Sequence, residues 1–300
     1  MADDSPRVLV AGATGQVGGI VTRKLLAAGV PVRALGRHRE KLVALADAGA
    51  EVIAVDLLDR TAVARACEGV GQVFSTVNNV MGRGASSPNR VDLAAYESLC
   101  SGATDAGVRR LVYLSGRGMS ADDPVDFFRV KHAIEARIRQ GRVPFVVLQA
   151  GAFMETWVGM LSDGMRKKGV AVLFGDGRMI SNFIAVEDVA EFAVRILARE
   201  EIVNETIEVG GPSNISFDAL VSLLETQMGM HVKRRRVPRA VLWLGGLALK
   251  PFNEVAARLM RLGYFTATRD LRLLDWRVAA DRFGVSPMRI EEFVSQAGLA

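Results

Sequence analysis

Residues Val8–Gly19 read V-L-V-A-G-A-T-G-Q-V-G-G, and the apolar stretch Ile20–Ala28 follows immediately. The first residues have the composition of a buried strand, and the stretch after the glycines has that of a helix. Gly12 allows a tight turn off the strand, Gly15 lets a pyrophosphate approach the backbone, and Gly18 lets the helix pack closely against the strand. This order of strand, spaced glycines and helix predicts a loop that binds the phosphates of a dinucleotide.

The residues between these glycines belong to the same predicted site, because the N–H groups at the start of a helix point toward a bound anion. The residues that we expect to contact the cofactor in this loop are Gly12, Thr14, Gly15, Gln16, Val17 and Gly18. Gly29 then ends the helix, as glycine often does at a helix C-terminus.

The composition of the chain limits the classes of protein to which it can belong. Of its 300 residues, 50% are hydrophobic and 24% are charged, which is typical of a globular protein with a large core. The net charge of +5 suits an anionic ligand but is too small to indicate nucleic-acid binding. The two cysteines, Cys67 and Cys100, provide neither a disulfide framework nor a metal site. We expect a cytoplasmic protein, since the acidic N-terminus is unlike a signal peptide and no apolar run is long enough to span a bilayer.

The first half of the chain alternates short apolar runs with helical patterns. Six runs rich in Val, Leu or Ile have the length and flanks of buried parallel strands: Arg7–Ala11, Pro31–Leu35, Glu51–Val55, Gln72–Thr76, Arg110–Leu114 and Pro144–Leu148. This alternation predicts an α/β fold, a doubly wound parallel sheet of the Rossmann type with helices on both faces. Ligands of such sheets bind at the carboxyl ends of the strands. The residues predicted at that edge are Gly12, Gly36, Asp56, Thr76, Ser115 and Gln149.

After residue 150 the alternation becomes less regular. Glu187–Arg199 has the pattern of a strongly amphipathic helix, and Thr206–Val209 that of a strand. We predict that residues 1–150 form an NAD(P)-binding Rossmann domain and that residues 151–300 form a smaller, mostly helical substrate lobe. Elements at about residues 184–210 are expected to return to the Rossmann sheet.

The end of the second predicted strand indicates which nucleotide binds. NAD sites usually carry a carboxylate there for the ribose hydroxyls, whereas here Gly36 is followed by Arg37, His38 and Arg39. Two guanidiniums can bind a 2′-phosphate through charge-assisted hydrogen bonds. The sequence therefore favours NADP(H) over NAD(H), the alternative being a solvated basic loop before a helix.

Three other strand ends supply candidate cofactor contacts. Asp56 ends the third predicted strand, where its carboxylate either accepts a hydrogen bond from the adenine amino group or caps the next helix. Thr76 lies at the end of the fourth strand, and Gly151 lies beyond the sixth. We expect both to contact the cofactor.

Several stretches of the chain carry motifs that occur together in one family. They are Gly12–Gly18, Val32–Arg37, Val112–Ser115, Lys131–Glu135, Gln149–Glu155 and Val186–Ala190. In combination they resemble the NmrA-like, or atypical, short-chain dehydrogenase/reductase family over about residues 7–230. The resemblance implies a Rossmann fold, a preference for NADP and a small C-terminal lobe. It implies no single activity, because the family includes quinone and aromatic-compound reductases as well as regulators that only bind the nucleotide.

The resemblance also indicates where catalytic residues should lie, and Lys131 and Ser115 are the candidates. Short-chain reductases carry a Tyr four residues before the Lys, and its phenol gives a proton to the carbonyl as hydride arrives. Here that position is Phe127, which has no proton to give. The usual Tyr-dependent mechanism is therefore unavailable to this chain.

Three interpretations of Lys131 stay open. It binds the nicotinamide ribose without taking part in the chemistry, or it is itself the acid–base group after burial has lowered its pKa, as in isoflavone-reductase-like members. The third is a surface lysine that pairs with Glu135 one helical turn later.

A quinone would tolerate the absence of the phenol, because its stabilised hydroquinone anion can take a proton from water. Phe127, Phe153, Met154 and Trp157 are the candidates to line an apolar substrate pocket. The alternative is that they are ordinary core residues at helix and strand spacing.

The sequence thus favours an NAD(P)H-dependent oxidoreductase that transfers hydride to a quinone or another apolar carbonyl or aromatic acceptor. One alternative is a non-catalytic regulator that senses NADP(H) and binds a protein partner. A third is a sugar-nucleotide epimerase or dehydratase, which the stretch Val186–Ala190 suggests.

The expected partner is a small apolar substrate, with a homodimer as a second option and no nucleic acid or membrane. The basic run Lys233–Arg239 lacks interleaved aromatic residues and is typical of an exposed strand edge. The apolar stretch Val241–Leu249 predicts a lobe helix or a subunit contact rather than a membrane anchor.

Overall fold

The computed structural model describes residues 7–298, apart from the side chain of Ala85. These residues form two compact units. The first unit contains the chain up to Ser115 together with Val130–Gln149 and Val189–Ile207. The second contains Gly116–Arg129, Ala150–Asp188 and the chain from Glu208 onward. Residues 116–129, which the sequence places in the first domain, therefore belong to the second unit.

Twelve strands and twelve α-helices are present within residues 7–298. In chain order they are β1 Arg7–Ala11, α1 Gln16–Ala27, β2 Val32–Gly36, α2 Val43–Asp47, β3 Glu51–Ala54, α3 Arg60–Cys67, β4 Val70–Ser75, α4 Pro88–Asp105, β5 Arg110–Gly116, α5 Asp126–Arg139, β6 Phe145–Ala150, β7 Ala152–Phe153, α6 Met154–Lys168, β8 Val170–Phe174, β9 Ile180–Ile184, α7 Val186–Leu197, β10 Glu205–Val209, β11 Asn214–Ser216, α8 Phe217–Met228, β12 Lys233–Val237, α9 Arg239–Ala248, α10 Glu254–Thr268, α11 Trp276–Phe283 and α12 Ile290–Gln296. In this described part of the chain, no helix has both the length and the apolarity needed to cross a bilayer.

The central sheet has seven strands in the order β10-β6-β5-β4-β1-β2-β3. Strand β1 pairs in parallel with β2 on one side and with β4 on the other, and Val8 lies opposite Val32 and Gln72. The order of the strands reverses between β1 and β4, which is the point where ligands of doubly wound sheets bind. The predicted α/β fold with a Rossmann-type sheet is confirmed. All six predicted strands are present, with ends within two residues of those expected.

The core of the first unit lies between this sheet and its helices. Leu9, Val73 and Leu111, at the centres of β1, β4 and β5, are at most 1% exposed and belong to one apolar cluster with Tyr96 and Leu99 of α4. Short strands that are buried on both faces require the near-continuous apolar runs seen in the sequence.

A buried arginine joins helix α7 to the sheet inside the first unit. The Arg110 guanidinium is buried, and its Nε donates to the Gln72 side-chain oxygen at 3.1 Å. Its other nitrogens donate to carbonyl oxygens at the end of α7 and just beyond it, among them those of Leu197 and Ile202. Each carbonyl there gains a charge-assisted partner, so the charge is buried without unmet donors.

The second unit contains smaller sheets and most of the C-terminal helices. Strands β11, β9 and β7 form a three-stranded sheet, and β12 pairs in parallel with β8. Its core includes Met154, Leu173, Phe183 and Leu220, none of which is more than 1% exposed. The apolar stretch predicted as a lobe helix is α9.

Candidate functional site

The loop after β1 makes the turn that its glycines predict. Gly12 has φ +86°, in the left-handed region that favours glycine, and the Gly15 N–H donates to the Gly12 carbonyl oxygen at 3.0 Å. Helix α1 then begins at Gln16. The loop therefore reverses the chain within four residues and aims the start of α1 at the carboxyl end of the sheet.

Gly18 fixes the distance between this helix and the turn. A Cβ atom at Gly18 would lie 2.2 Å from the Gly12 carbonyl oxygen, so no other residue fits without a backbone shift. A Cβ atom at Gly15 would lie 3.3 Å from the same oxygen. The spacing of the three glycines thus allows the helix to begin directly beneath the turn.

The first turn of α1 has the electrostatics of an anion site. No side chain caps the helix, and its first turn contains no acidic residue. Thr14, Gly15 and Gln16 are exposed, whereas the Val17 side chain is buried and leaves only its backbone to face a ligand. Free N–H groups and the positive end of the helix dipole would stabilise a phosphate at this place.

Two neighbouring strand ends lie against the same loop. A Cβ atom at Gly36 would lie 2.9 Å from the Thr14 methyl carbon, so the end of β2 packs directly on the loop. The Thr76 N–H donates to the Ala11 carbonyl oxygen at 3.1 Å, which holds the end of β4 beside Gly12. The predicted edge residues Gly12, Gly36 and Thr76 are therefore brought together.

The residues after Gly36 present positive charge to solvent. Arg37 and Arg39 are exposed, and within residues 7–298 neither forms an ion pair. His38 lies between them, with its Nδ1 3.4 Å from a Glu40 carboxylate oxygen. Since β2 ends without a carboxylate and is followed by two unpaired guanidiniums, this corner suits a phosphate better than a pair of ribose hydroxyls.

Asp56 does not cap the helix that follows it, so that alternative is wrong. The N-cap of α3 is Asp59, whose carboxylate accepts from the Ala62 N–H at 3.0 Å. Asp56 lies three residues earlier and accepts from the Leu58 N–H at 3.0 Å, which closes a local turn before the helix. Its carboxylate is exposed, and the contact with adenine stays a prediction.

Lys131 lies on α5 and its ammonium group is fixed at the end of β5. Its Nζ donates to the Leu114 carbonyl oxygen at 3.0 Å and lies 3.4 Å from the Tyr113 phenol oxygen. It also lies 5.0 Å from the centre of the Tyr113 ring. Burial lowers the pKa of Lys131 to about 8, although the negative charges of Asp92 and Glu135 partly oppose this shift.

The interpretation of Lys131 as a surface lysine paired with Glu135 is wrong. The Glu135 carboxylate instead accepts from the Gln149 amide at 3.0 Å and pairs with Arg139 at 2.8 Å. Glu135 therefore binds Gln149 and Arg139, whereas the Lys131 ammonium binds the end of β5. Its remaining interpretations are ribose binding and acid–base chemistry.

Three buried residues near Lys131 are not indicated by any local pattern. Asp92 of α4 is buried and accepts from the Asn79 N–H at 2.9 Å. The Tyr96 phenol lies one helical turn later, where it hydrogen-bonds Ser75 at 2.7 Å. Tyr113 packs edge-to-face on Tyr96, with ring centres 4.8 Å apart, and burial raises its pKa well above the usual range. The only sequence signal for them is the placement of polar groups within otherwise apolar strand and helix segments.

Ser115 lies next to this group. It follows Leu114 and is 4% exposed, and its hydroxyl interacts with the Tyr113 phenol, which opposes part of the effect of burial on that pKa. A buried hydroxyl at the carboxyl end of a strand is a candidate to contact a ligand. Its catalytic role stays a prediction.

Phe127 belongs to the second unit, where it packs among aromatic side chains. Its ring lies 4.4 Å from that of Phe128, which in turn lies 4.7 Å from Phe265. The preceding residue, Asp126, forms an ion pair with the buried Arg258 at 2.6 Å. The aromatic contacts of Phe127 and the ion pair of Asp126 therefore hold the start of α5 in place, and the side chain at position 127 has no hydroxyl.

The other predicted pocket residues also lie in the second unit. Met154 and Trp157 are 0% and 8% exposed and belong to its apolar core, and Trp157 packs edge-to-face on Phe217. Phe153 is half-buried. The Gly151 N–H donates to the Val209 carbonyl oxygen at 3.1 Å and so is not available to a ligand. Packing in this core accounts for the burial of Met154 and Trp157. The substrate-pocket role of these residues and the cofactor contact of Gly151 stay predictions.

Comparison with known proteins places the whole chain in one family. A family model described as the NmrA-like family matches residues 4–294. A (4-alkanoyl-5-oxo-2,5-dihydrofuran-3-yl)methyl phosphate reductase of Streptomyces griseus is 33% identical over 228 residues, which are 75% of each chain. An NAD(P)H azoreductase of Xenophilus azovorans is 29% identical over 227 residues, again 75% of each chain.

A solved structure shows the same fold. The NADPH-dependent quinone oxidoreductase of Escherichia coli, solved in complex with NADPH, superposes with a TM-score of 0.79 over 97% of this chain and 99% of that one. The two sequences are 22% identical. At this identity the likeness concerns the fold alone.

Proposed function

The chain belongs to the NmrA-like family, and we propose that it is an NADPH-dependent reductase that transfers hydride to a quinone or another apolar carbonyl or aromatic acceptor. One observation carries the proposal: the carboxyl edge of one sheet brings together three groups that suit NADPH. They are the uncapped start of α1 after β1, the unpaired Arg37 after β2 and the Lys131 ammonium at the end of β5. Both relatives described above are reductases by name, which supports a redox role.

The residues of the first unit fit NADPH in two places. The N–H groups at Gln16 and Val17 would bind the pyrophosphate, since they begin an uncapped helix whose first turn carries no acidic residue. Arg37 would bind the 2′-phosphate through charge-assisted hydrogen bonds. A carboxylate for a free 2′-hydroxyl is absent from the end of β2, which favours NADPH over NADH.

Bound NADPH would supply a hydride to the acceptor, and the chain must stabilise the negative charge that forms on the acceptor. We assign that task to Lys131, whose ammonium is held in place by Leu114 and is mostly protonated at pH 7. Hydride addition to a quinone gives a hydroquinone anion, and one proton from water completes the hydroquinone. This route needs no phenol at Phe127.

Turnover is the direct test of the proposal. NADPH oxidation is measured against a panel of quinones, azo dyes and aromatic aldehydes, with NADPH binding titrated in the same preparation. We expect quinone-dependent oxidation that falls at least tenfold in a Lys131→Gln variant that still binds NADPH. Tight NADPH binding with no turnover across the panel would refute the reductase assignment.

One observation favours the regulator as a second candidate. Phe127 occupies the position of the usual proton donor and is packed against Phe128, so the chain has no phenol there. A regulator would change its oligomeric state or partner binding with NADPH and would oxidise none. A Phe127→Tyr variant separates the two: new carbonyl reduction would show that the absent phenol limits the chemistry. The epimerase or dehydratase alternative ranks last, because such enzymes also rely on the absent Tyr.

A further inference from the structure

The second unit contains a half-open cavity of about 280 Å³ between helix α6 and the two-stranded sheet of β8 and β12. Its apolar lining includes Met160, Val172 and Phe174. Two cations, Lys168 at the end of α6 and Arg235 on β12, also line it. The described residues that form this cavity include no carboxylate.

Strand alternation explains why Arg235 faces the cavity while its neighbours do not. Successive side chains of a strand point to opposite faces, so Arg234 and Arg236 lie on the other face of β12. Arg234 pairs with Glu225 at 2.7 Å, and Arg236 pairs with Asp218 at 3.2 Å. Both acids lie on α8. The basic run is thus divided into two neutralised arginines and a third that faces the cavity.

The side chains of Arg235 and Lys168 have no ion pair or hydrogen-bond partner among residues 7–298. The contrast with adjacent Lys167 is informative, because Lys167 pairs with Asp163 at 2.8 Å one turn earlier on the same helix. On β8 the exposed Val172 lies directly opposite Arg235 in the register. An apolar surface therefore adjoins two charges that nothing in this part of the protein neutralises.

We propose that this cavity binds one small amphiphilic carboxylate, with its anionic end between Lys168 and Arg235 and its apolar body on Val172 and Phe174. A neutral ligand would gain nothing from the two exposed cations, and an inorganic anion would leave the apolar lining in water. A cavity of about 280 Å³ lies at the small end of ligand pockets, which suits a ligand of roughly ten non-hydrogen atoms. A medium-chain alkanoate such as octanoate has that size.

Calorimetric titration of the full chain with octanoate tests this assignment. Octanamide, which has the same tail without the charge, and acetate, which has the charge without the tail, are titrated in parallel. We expect saturable one-to-one binding of octanoate and at least tenfold weaker binding of the other two. Arg235→Gln and Lys168→Gln should each weaken octanoate binding about tenfold, as expected for a lost charge-assisted contact.

Lys167→Gln and Arg236→Gln are the matched controls, because they remove neighbouring cations that point elsewhere, and they should leave octanoate affinity unchanged. Val172→Glu, at a position already 43% exposed, should abolish binding without unfolding the chain, which circular dichroism verifies. Equal losses in the controls and the cavity variants would overturn the proposal. So would binding to vesicles of anionic phospholipid with none to octanoate, since a lipid surface would then be the occupant.

Discussion

The Nζ atom of Lys131 lies 3.4 Å from the phenol oxygen of Tyr113, which belongs to β5 and not to the helix that carries the lysine. A tyrosine–lysine contact is thus present although position 127 is a phenylalanine. Tyr113 is fully buried, and its pKa is raised well above the usual range mainly by that burial. Because its phenol is fully buried and a weaker acid than usual, we expect Tyr113 to position the ammonium group and not to serve as the proton donor.

Tyr113→Phe tests this positioning role. The variant keeps the ring beneath Lys131 but removes an oxygen that stabilises the charged form, so the pKa of Lys131 should fall below its value of about 8. Loss of one hydrogen bond worth about 1 kcal/mol lowers that pKa by about 0.7, so we expect kcat/KM for quinone reduction to fall about threefold at pH 8 and about fivefold at higher pH. The pH profile of kcat/KM measures both quantities.

Tyr96→Phe is the control for that experiment. It removes a neighbouring buried phenol that bonds Ser75 and Val77 but does not contact the lysine. Its pH profile should match the wild type even where its stability is lower. Identical profiles for the wild type and the Tyr113→Phe variant would contradict the positioning role.

Arg37→Ala tests the choice of nucleotide. The guanidinium is exposed, unpaired within the described residues and next to the loop, so its loss should remove a contact to the 2′-phosphate alone. We expect NADPH affinity to fall about tenfold or more, with NADH affinity unchanged. Fluorescence titration of both nucleotides gives the two dissociation constants.

Arg65→Ala provides the comparison, because Arg65 is an equally exposed arginine in the last turn of α3. Its removal should affect neither nucleotide. If wild-type protein bound NADPH and NADH equally well, the assignment of a 2′-phosphate site at Arg37 would be wrong.

The central sheet and the glycine loop could be predicted because their causes are local. A short run such as Arg7–Ala11 must be buried on both faces. Gly12 is required by its left-handed φ, and Gly18 by one close backbone contact. Such requirements are visible in consecutive residues. The position of Arg37 followed for the same reason, since it comes directly after a strand whose end could be placed.

The surroundings of Lys131 could not be predicted, because they come from distant parts of the chain. Tyr113 reaches it from β5, and the charge of Asp92 acts on it from α4. Glu135, one turn away on the same helix, is instead bound by Gln149 of β6. Helical spacing shows which residues can meet, but tertiary competition decides which of them do. The cap of α3 was also not predictable from the sequence pattern. Both Asp56 and Asp59 precede this helix, and only Asp59 caps it.

Gly18→Ala tests the packing of the loop on its helix. The added Cβ would lie 2.2 Å from the Gly12 carbonyl oxygen, and relieving that overlap must move either the turn or the start of α1. We expect the free energy of unfolding to fall by about 1–3 kcal/mol and NADPH affinity to fall at least tenfold. Denaturant unfolding and nucleotide titration measure the two effects.

Gly159→Ala is the appropriate control, because it also lies inside a helix but has nothing within 4 Å of its added Cβ. This variant should gain about 0.5–1 kcal/mol of stability from the lower flexibility of alanine and should bind NADPH normally. A Gly18→Ala protein with wild-type stability and affinity would show that the loop is not tightly packed.

Asp188→Asn tests a half-buried carboxylate in the second unit. Asp188 accepts from the Met288 N–H at 2.9 Å, yet burial raises its pKa from 3.8 to about 6. The folded state therefore holds a proton that the unfolded state releases, and wild-type stability should fall as the pH rises from about 4 to about 6. Asparagine keeps the acceptor and never ionises. The stability of the variant relative to wild type should consequently be greater at pH 7 than at pH 4.5, by up to about 2 kcal/mol and by less where water screens the charge.

Asp163→Asn should show a small change of the opposite sign, because pairing with Lys167 lowers the pKa of that exposed carboxylate. A relative stability of Asp188→Asn that does not change between the two pH values would mean that Asp188 is ionised at low pH as an exposed aspartate is.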